Sequence, residues 1–518
     1  MRLIQLSIGE YNVLKDLTIV FSPASPDYQR GYDIDFLVGL NGTGKSTILR
    51  LLAEIFLRLE GAGGTLNTVP FAFTISYSLS LEGQDQIITI TNNAEEDQAK
   101  PFIERSLHMT IDDEPRIYDK SLLPSSIVIL TTGQEQDWYR VRQILRQRDQ
   151  PQPLVQQPSS LGQIISEYVG RSNTSLSTSE SYSEATSQRV TFIRTSQLPL
   201  VMLCELLDHA LGEQALQSAS RSGFADVLSQ SDIRGLAGFS LRFRITDPLG
   251  IDPLIEKIYR ECHPTRVLRL GNERLFVFDM SKSLQQRARQ IVEPFSDSFA
   301  LFLRLATLCD SPNPEENVLQ EINIFLERIV KQPAGNQDEE SDQQIEHDIP
   351  LHLFSWMSDG EQSFLARMAL LSLMRSQGAL IFLDEPEVHF NDYWKRHIVN
   401  LIHQTLQHTG SHVLITTHSS ITLTDVPSQD IIKIVRSGPY TTDTPRPLPI
   451  RTLAADPSDI MVHVFDTGYA TGERAVQEVL SSVKPGSVLT KEERARLKRL
   501  QEDVAPGYWS YLIRHAIG

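Results

Sequence analysis

Cysteine is scarce in this chain of 518 residues: Cys204, Cys262 and Cys309 are all there are. Three scattered thiols cannot build a disulfide framework, and they suit a reducing, cytoplasmic setting. His263 follows Cys262, but no second such pair completes a thiolate metal site. Long apolar runs are missing too. The most apolar tracts, residues 199–211 and 368–374, fall short of the ~20 residues a bilayer needs or carry charge, so no membrane span is expected. The opening MRLIQLSIGEYNVL alternates like a strand and lacks the apolar centre and cleavage site of a signal peptide. No heptad pattern is sustained, which excludes long coiled-coil arms. Positive charge is in deficit, with 48 Lys and Arg against 65 Asp and Glu and a net charge of −17. That balance argues against a surface that clings to nucleic acid throughout, while leaving room for a local basic strip. What remains is a chain with 40% hydrophobic residues, long enough for a large core and more than one module.

Four short motifs stand out. Residues 39–46 read GLNGTGKS, 357–362 MSDGEQ, 380–385 LIFLDE and 413–418 VLITTH. The apolar run 35–38 reads as a buried strand entering the first motif. Gly39, Gly42 and Gly44 then allow backbone conformations that turn N–H groups inward around phosphate oxygens, with Asn41 in the same loop. Lys45 would reach the β- and γ-phosphates of a nucleotide, and Ser46 would place its hydroxyl on Mg²⁺. An apolar helix over 47–59, opening on Thr47, adds a favourable dipole for the anion. A chance match in a Gly-rich turn is the bland alternative, and the strand before and helix after weigh against it.

Residues 380–383 are four apolar residues ending in Asp384 and Glu385. That pattern describes a central parallel strand delivering carboxylates to its C-terminal edge. Asp384 would hold Mg²⁺, and Glu385 would polarise the attacking water as general base. His418 ends a second apolar strand. Taken alone it is a structural histidine, but one strand and helix beyond Glu385 it stands where a γ-phosphate sensor would. The MSDGEQ loop has no evident role in folding. It makes sense as a loop reaching across a dimer interface to a γ-phosphate held by the other subunit.

Together the four motifs resemble those of ABC-type ATPases, in the soluble SMC/RecF-like branch rather than among transporter subunits. Asn41 in the phosphate loop, Ser358-Asp359-Gly360-Glu361 at the signature position, and Asp384-Glu385-Pro386-Glu387 followed by His389 carry the likeness. The resemblance implies an α/β fold: a P-loop NTPase, an ABC-type ATPase head with a mixed α+β insertion between the Walker A half and the signature/Walker B half. It implies ATP and Mg²⁺ as cofactors, catalysis by Glu385 with His418, and a homodimer or higher even oligomer. Ser358, Gly360 and Glu361 of one subunit would then face nucleotide on the other. Residues 387–392 match the loop that couples the two sites, with His389 structural. The glutamine loop should follow the strand near 126–130, with Gln134 or Gln136 filling the role.

The expected layout is residues 1–134 as the first half of the core, 135–350 as an inserted mixed domain with disordered linkers, and 351–518 as the second half with a tail. Within the insertion, 198–216 and 283–308 read as helices, and 241–246 and 266–278 as strands. Residues 171–188 are rich in Ser and Thr and read as a disordered loop, and 338–348 as an acidic linker. Arg140, Arg142, Arg146 and Arg148 form either a solvated helix face or a contact for DNA, RNA or an acidic partner. The Lys/Arg-with-Glu run at 491–499 reads as an ordinary exposed helix. Residues 453–483 are similar to the tail of defence-associated ATPases of the Septu type, which work beside an HNH-type nuclease. Three functions compete: a regulatory ATPase gating such an effector, a RecF-type repair ATPase that binds DNA directly, and an ATPase–nuclease fusion. The last needs an Asp-x-Asp after His418, and none is present.

Overall fold

The structure is a computed structural model. It describes residues 1–21, 30–62, 67–81, 84–97, 99–132, 138, 140–142, 144, 189–212, 222–245, 252–309, 314–329, 351–374, 378–407, 409–438, 441–483 and 490–517. The expected glutamine-loop residues Gln134 and Gln136, the arginines 146 and 148, the Ser/Thr-rich loop and the acidic linker all lie outside them.

Four short strands with buried side chains on both faces form the centre: Asp33–Val38, His412–Thr416, Leu380–Asp384 and Ile127–Thr131, side by side and parallel in that order. Strands covered on both faces read as continuous apolar runs, which is why these were legible. Their alternating side chains feed two separate cores. Phe36, Ile381, Leu383, Val413, Ile415 and Val128 enter one, and Leu37, Leu380, Phe382, Leu414 and Ile129 the other. The helix Lys45–Gly61 packs in the second core, against the antiparallel wing built from Arg2–Tyr11, Leu14–Val20, Phe73–Leu81 and Gln84–Thr91. The helices Leu198–Gly212, Asp359–Leu373 and Asp392–Leu406 pack in the first. Among the described residues the whole sheet has thirteen strands.

The stretch expected as an insertion is partly shared with this core. Strand Val190–Ile193 pairs in parallel with Ile127–Thr131 at the sheet edge, and Leu198–Gly212 lies against Asp359–Leu373. The rest forms a second sheet of five strands, in the order Arg266–Leu270, Glu273–Asp279, Ile233–Arg244, Leu319–Arg328, Leu351–Leu353. The last of these runs through a 3₁₀ turn (Phe354–Trp356) into Ser358, so the second sheet aims the helix that carries the signature motif. Residues 266–278 are a hairpin, turning at Gly271 with φ 59°. The tract 283–308 is two helices, Leu284–Val292 and Ser298–Thr307. Pro294 and Ser296 at φ 77° break the first, and Asp297 caps the second by accepting from the Ala300 N–H at 2.7 Å. Residues 473–517 add three helices with a small core of Val479, Leu497 and Ile513. Among the described residues no helix is long and apolar enough to cross a membrane.

The helix Asp359–Leu373 is fixed from the side by Phe364, whose ring stacks on Trp394 with centroids 3.9 Å apart and planes 21° from parallel. Both rings are buried. Phe364→Ala should cost about 3–5 kcal/mol of stability, as core aromatic truncations do. A chemical denaturation midpoint that barely moved would show that this stack does not hold the helix.

Candidate functional site

The phosphate loop is shaped by what stands around its glycines. Gly39, Gly42 and Gly44 have φ of 150°, 78° and 101°. A Cβ on Gly39 would lie 2.4 Å from the Ile434 carbonyl oxygen, and one on Gly44 would lie 2.7 Å from Leu14 Cδ2. No other residue fits either place. Gly44 is also the cap of the helix Lys45–Gly61, and it offers no side-chain acceptor, nor does the first turn hold an acid. The first N–H groups of a long helix are therefore left for an anion from outside. Lys45 is only 5% exposed, and its Nζ donates to the carbonyls of Gly39 and Leu40 at 3.0 and 3.1 Å. Burial pulls its pKa down to about 8, against the opposing pull of Glu385, Asp384 and Glu387. Asn41 and Gly42 are exposed on the loop, while Thr47 turns inward and accepts from Arg50 at 3.2 Å.

Asp384 ends its strand with a buried carboxylate. The Ser46 hydroxyl donates to Asp384 Oδ1 at 2.7 Å, and the Thr416 hydroxyl donates to the same oxygen at 2.7 Å. Ser46 and Asp384, predicted separately as magnesium ligands, are thus one contact pair. A hydroxyl and a carboxylate are hard oxygen donors of the kind Mg²⁺ takes, so the residues fit the ion, which would supply charge neutralisation at the phosphates. Thr131 Oγ1 lies 3.4 Å from Asp384 Oδ2. The Thr132 hydroxyl donates to the backbone carbonyls of Asp384 and Glu385, fixing the turn between the two acids.

Glu385 sits at φ 52°, in the left-handed region, held by its N–H on the Thr416 hydroxyl at 2.9 Å. Its Oε1 is 3.3 Å from His418 Nε2. The hydrogen bond and charge of His418, with Lys45 behind, hold the Glu385 carboxyl below its ordinary range against a smaller desolvation effect. An ionised carboxylate within reach of an imidazole can take a proton from water and share it with the ring. The expected base and sensor therefore meet.

The signature motif behaves differently from expectation in one respect. Ser358 and Glu361 form a capping box: the Ser358 hydroxyl accepts from the Glu361 N–H at 3.3 Å, and Glu361 Oε2 accepts from the Ser358 N–H at 3.0 Å and from its hydroxyl at 2.8 Å. MSDGEQ thus has a folding role after all, as the start of the helix Asp359–Leu373. Gly360 is required because a Cβ there would meet the His389 carbonyl oxygen at 2.7 Å. Ser358 and Asp359 are exposed.

The basic tract also reads differently. Arg140 reaches the fully buried Glu54 at 3.0 Å, and Glu54 further accepts from Tyr11 and Arg58. Trp138 and Val141 are buried. Arg140 therefore anchors the segment to the phosphate-loop helix. Sequence reasoning missed Thr131, Thr132, Thr416 and Thr417, and it placed Glu387 in the coupling loop without seeing its bond to Thr417. A signal was present, since both strands flanking 380–384 end in Thr-Thr, at 131–132 and 416–417.

The glycine loop, the Ser46–Asp384 pair and the Glu385–His418 pair share the carboxyl edge of one parallel sheet, the arrangement that phosphoryl transfer to water would need. The glycine loop, the parallel strand order and the acids at the strand ends are those of a P-loop NTPase. Residues 289–425, roughly a quarter of the chain, match the family model described as an AAA domain, putative AbiEii toxin, type IV TA system. No curated protein matches. Among solved structures the chain is similar to an SMC head domain from Thermotoga maritima, at 13% identity and a TM-score of 0.32 over 87% of this chain and 100% of that one. It is similar to an SMC head bound to the C-terminal winged-helix domain of ScpA, at 12% identity and a TM-score of 0.35 over 87% and 98%. A Pyrococcus furiosus SMC head with an extended coiled coil, bound to the C-terminal domain of ScpA, gives 13% and 0.31 over 85% and 95%. The strand order and phosphate loop, not these low scores, define the fold.

Because the Lys45 pKa is lowered to about 8, the free protein loses that proton as pH rises through 8. Phosphate favours the charged form, so ATP binding should take up a proton near and above that pH and weaken as pH climbs. Calorimetry at about pH 8.5 in two buffers of different ionisation enthalpy measures the uptake. Lys45→Ala should abolish it and weaken ATP binding at least tenfold. Equal uptake by parent and variant would remove Lys45 from the phosphate site.

Proposed function

We propose that this ATPase closes on ATP as a homodimer and in doing so gates a separate effector, a nuclease of the HNH type, in prokaryotic anti-phage defence or restriction. One observation carries the dimer. Lys45, Ser46, Asp384, Glu385 and His418 converge within one chain, whereas no hydrogen bond or ion pair among the described residues joins Ser358 or Asp359 to the phosphate loop. A second copy would supply that contact, placing Ser358 and Gly360 against nucleotide held by the other Lys45. Two large apolar side chains flank these halves in the open: Leu40 in the loop is 50% exposed, and Trp356, just ahead of Ser358, is 69% exposed. Closing two copies over them would remove both from water. A family model described as a putative toxin of a type IV TA system supports the defence setting, as does the resemblance of residues 453–483 to the tail of Septu-type ATPases.

The alternative, a repair ATPase of the RecF type that binds DNA directly, draws on a different face. Lys491, Arg494, Lys498 and Arg499 are exposed on the helix Lys491–Asp503 and make no ion pair with the described residues. DNA that raised the ATPase rate several-fold would favour it. Co-purification with the products of flanking genes would favour the gating role.

Glu385→Gln should leave ATP affinity intact and lower kcat about 10²–10⁴-fold, because only the proton acceptor is lost. The variant with ATP should then elute as a dimer where the parent with ADP does not. Ser358→Arg should stop hydrolysis while ATP still binds. Mixing Lys45→Ala with Ser358→Arg subunits should restore part of the activity, since one composite site then carries both lesions and the other none. Full activity of the Ser358→Arg homodimer would reduce MSDGEQ to its capping role and remove the case for a shared site.

A further inference from the structure

Glu387 is a buried acid that the hydrolytic steps leave unused. It lies two residues beyond Glu385 and is 6% exposed. Its Oε1 accepts from the Thr417 hydroxyl and from the His418 N–H, the latter at 3.1 Å. The Thr417 oxygen already accepts from the Ser419 N–H at 3.0 Å, so its own proton is committed to Glu387. Glu387 Oε2 is buried with no hydrogen-bond partner among the described residues. An acid half-satisfied in the interior is costly, and its persistence calls for a use.

Besides Lys45, whose charge Glu387 also supports, a buried cation near it belongs to the helix that Ser358 opens. Arg367 is 2% exposed, donates from Nη1 to the Val388 carbonyl at 3.4 Å and lies 5.0 Å over the Phe390 ring. Burial lowers its pKa to about 10, and the charge of Glu387 opposes that. The turn between them is tied at both ends, with the Val388 N–H on the Glu385 carbonyl and the Phe390 N–H on the Glu387 carbonyl. One carboxylate thus touches the backbone of His418, whose ring touches Glu385, while its counter-charge rides on the signature helix.

We propose that Glu387 is the positioning residue of the hydrolytic pair: it holds the Thr417–His418 backbone so that the imidazole stays on Glu385, and Arg367 keys that position to the helix Asp359–Leu373. Glu387 acts through His418, whose backbone N–H it accepts from. The inference rests on Glu385 and His418 being the hydrolytic pair. Its bland rival is a buried acid and a nearby buried arginine that merely support the fold.

Steady-state ATP hydrolysis by the full chain separates the two. Glu387→Ala should lower kcat about 10- to 100-fold, as loss of an orienting partner does, with the KM for ATP within about twofold. Glu387→Gln, whose amide oxygen can accept both bonds, should recover most of the loss. In a His418→Ala background, Glu387→Ala should cause no further fall in kcat, because the residue it positions is gone. Parental kcat in Glu387→Ala, or a loss that multiplies with that of His418→Ala, overturns the proposal. Should Glu387→Ala fail to fold, Thr417→Val decides, since it removes one donor at constant shape. A several-fold fall in kcat that vanishes in the His418→Ala background supports the positioning role, and an unchanged kcat overturns it. A parental chain that hydrolysed no ATP would sink the ATPase reading itself, which the outcomes above leave standing.

Discussion

Parallel register at the centre of the sheet is the constraint on which the site depends. Asp384 pairs with Thr131 on one side and with Thr416 on the other, all three at the carboxyl ends of their strands. That register puts two hydroxyls beside one buried carboxylate and leaves its Oδ1 facing Ser46 at the start of the phosphate-loop helix. A slip of one residue in either pairing would send the strand's apolar side chains into the wrong one of the two cores, so the hydrophobic pattern enforces the geometry of the acid. Chemistry at the edge is held in place by packing in the middle.

The four motifs were legible because each is local: a glycine loop between strand and helix, or an apolar run ending in an acid or a histidine. What could not be read depends on meeting across the chain. Thr131 and Thr416 matter only through their register with Asp384, and Glu387 only through Thr417 and His418 some thirty residues on. The arginine at 140 looked like a solvated or nucleic-acid-binding charge because its partner, Glu54, lies in another element and is wholly buried. Helix 283–308 was read without its break because apolar spacing persists across Pro294. Strand Val190–Ile193 is short, and residues 135–350 read as an insertion that did not advertise a strand of the main sheet.

The signature loop shows one set of atoms with two uses. Ser358 caps its helix with its hydroxyl, and the same hydroxyl is the group a partner-bound phosphate would need. These uses are compatible in sequence, since Ser at the cap and Glu three residues on serve folding in any helix. Gly360 is what folding alone does not ask for at the second helical position. Its absent side chain lets the helix start lie against the His389 carbonyl in the turn that follows Glu385. The helix start and the acid turn are therefore packed backbone to backbone.

Charge explains why that packing is useful. Three carboxylates, Asp384, Glu385 and Glu387, stand within a few residues on a chain of net charge −17, and a polyphosphate bound at the glycine loop would have to approach them. Lys45 alone does not offset this, since burial brings its pKa down to about 8 and its ammonium is turned onto its own loop carbonyls. The other favourable terms are fixed dipoles: the uncapped helix start behind Gly44 and the donors that draw Asp384 and Glu387 inward. Hydroxyls and N–H groups that already donate to Asp384 and to one oxygen of Glu387 leave less negative potential facing the loop, and those on Asp384 do so only while the strands keep register. The phosphate binding, metal binding and proton transfer proposed for this edge would thus rest on hydrogen bonds already made within the chain, the kind of preorganisation that hydrolysis in a buried site requires.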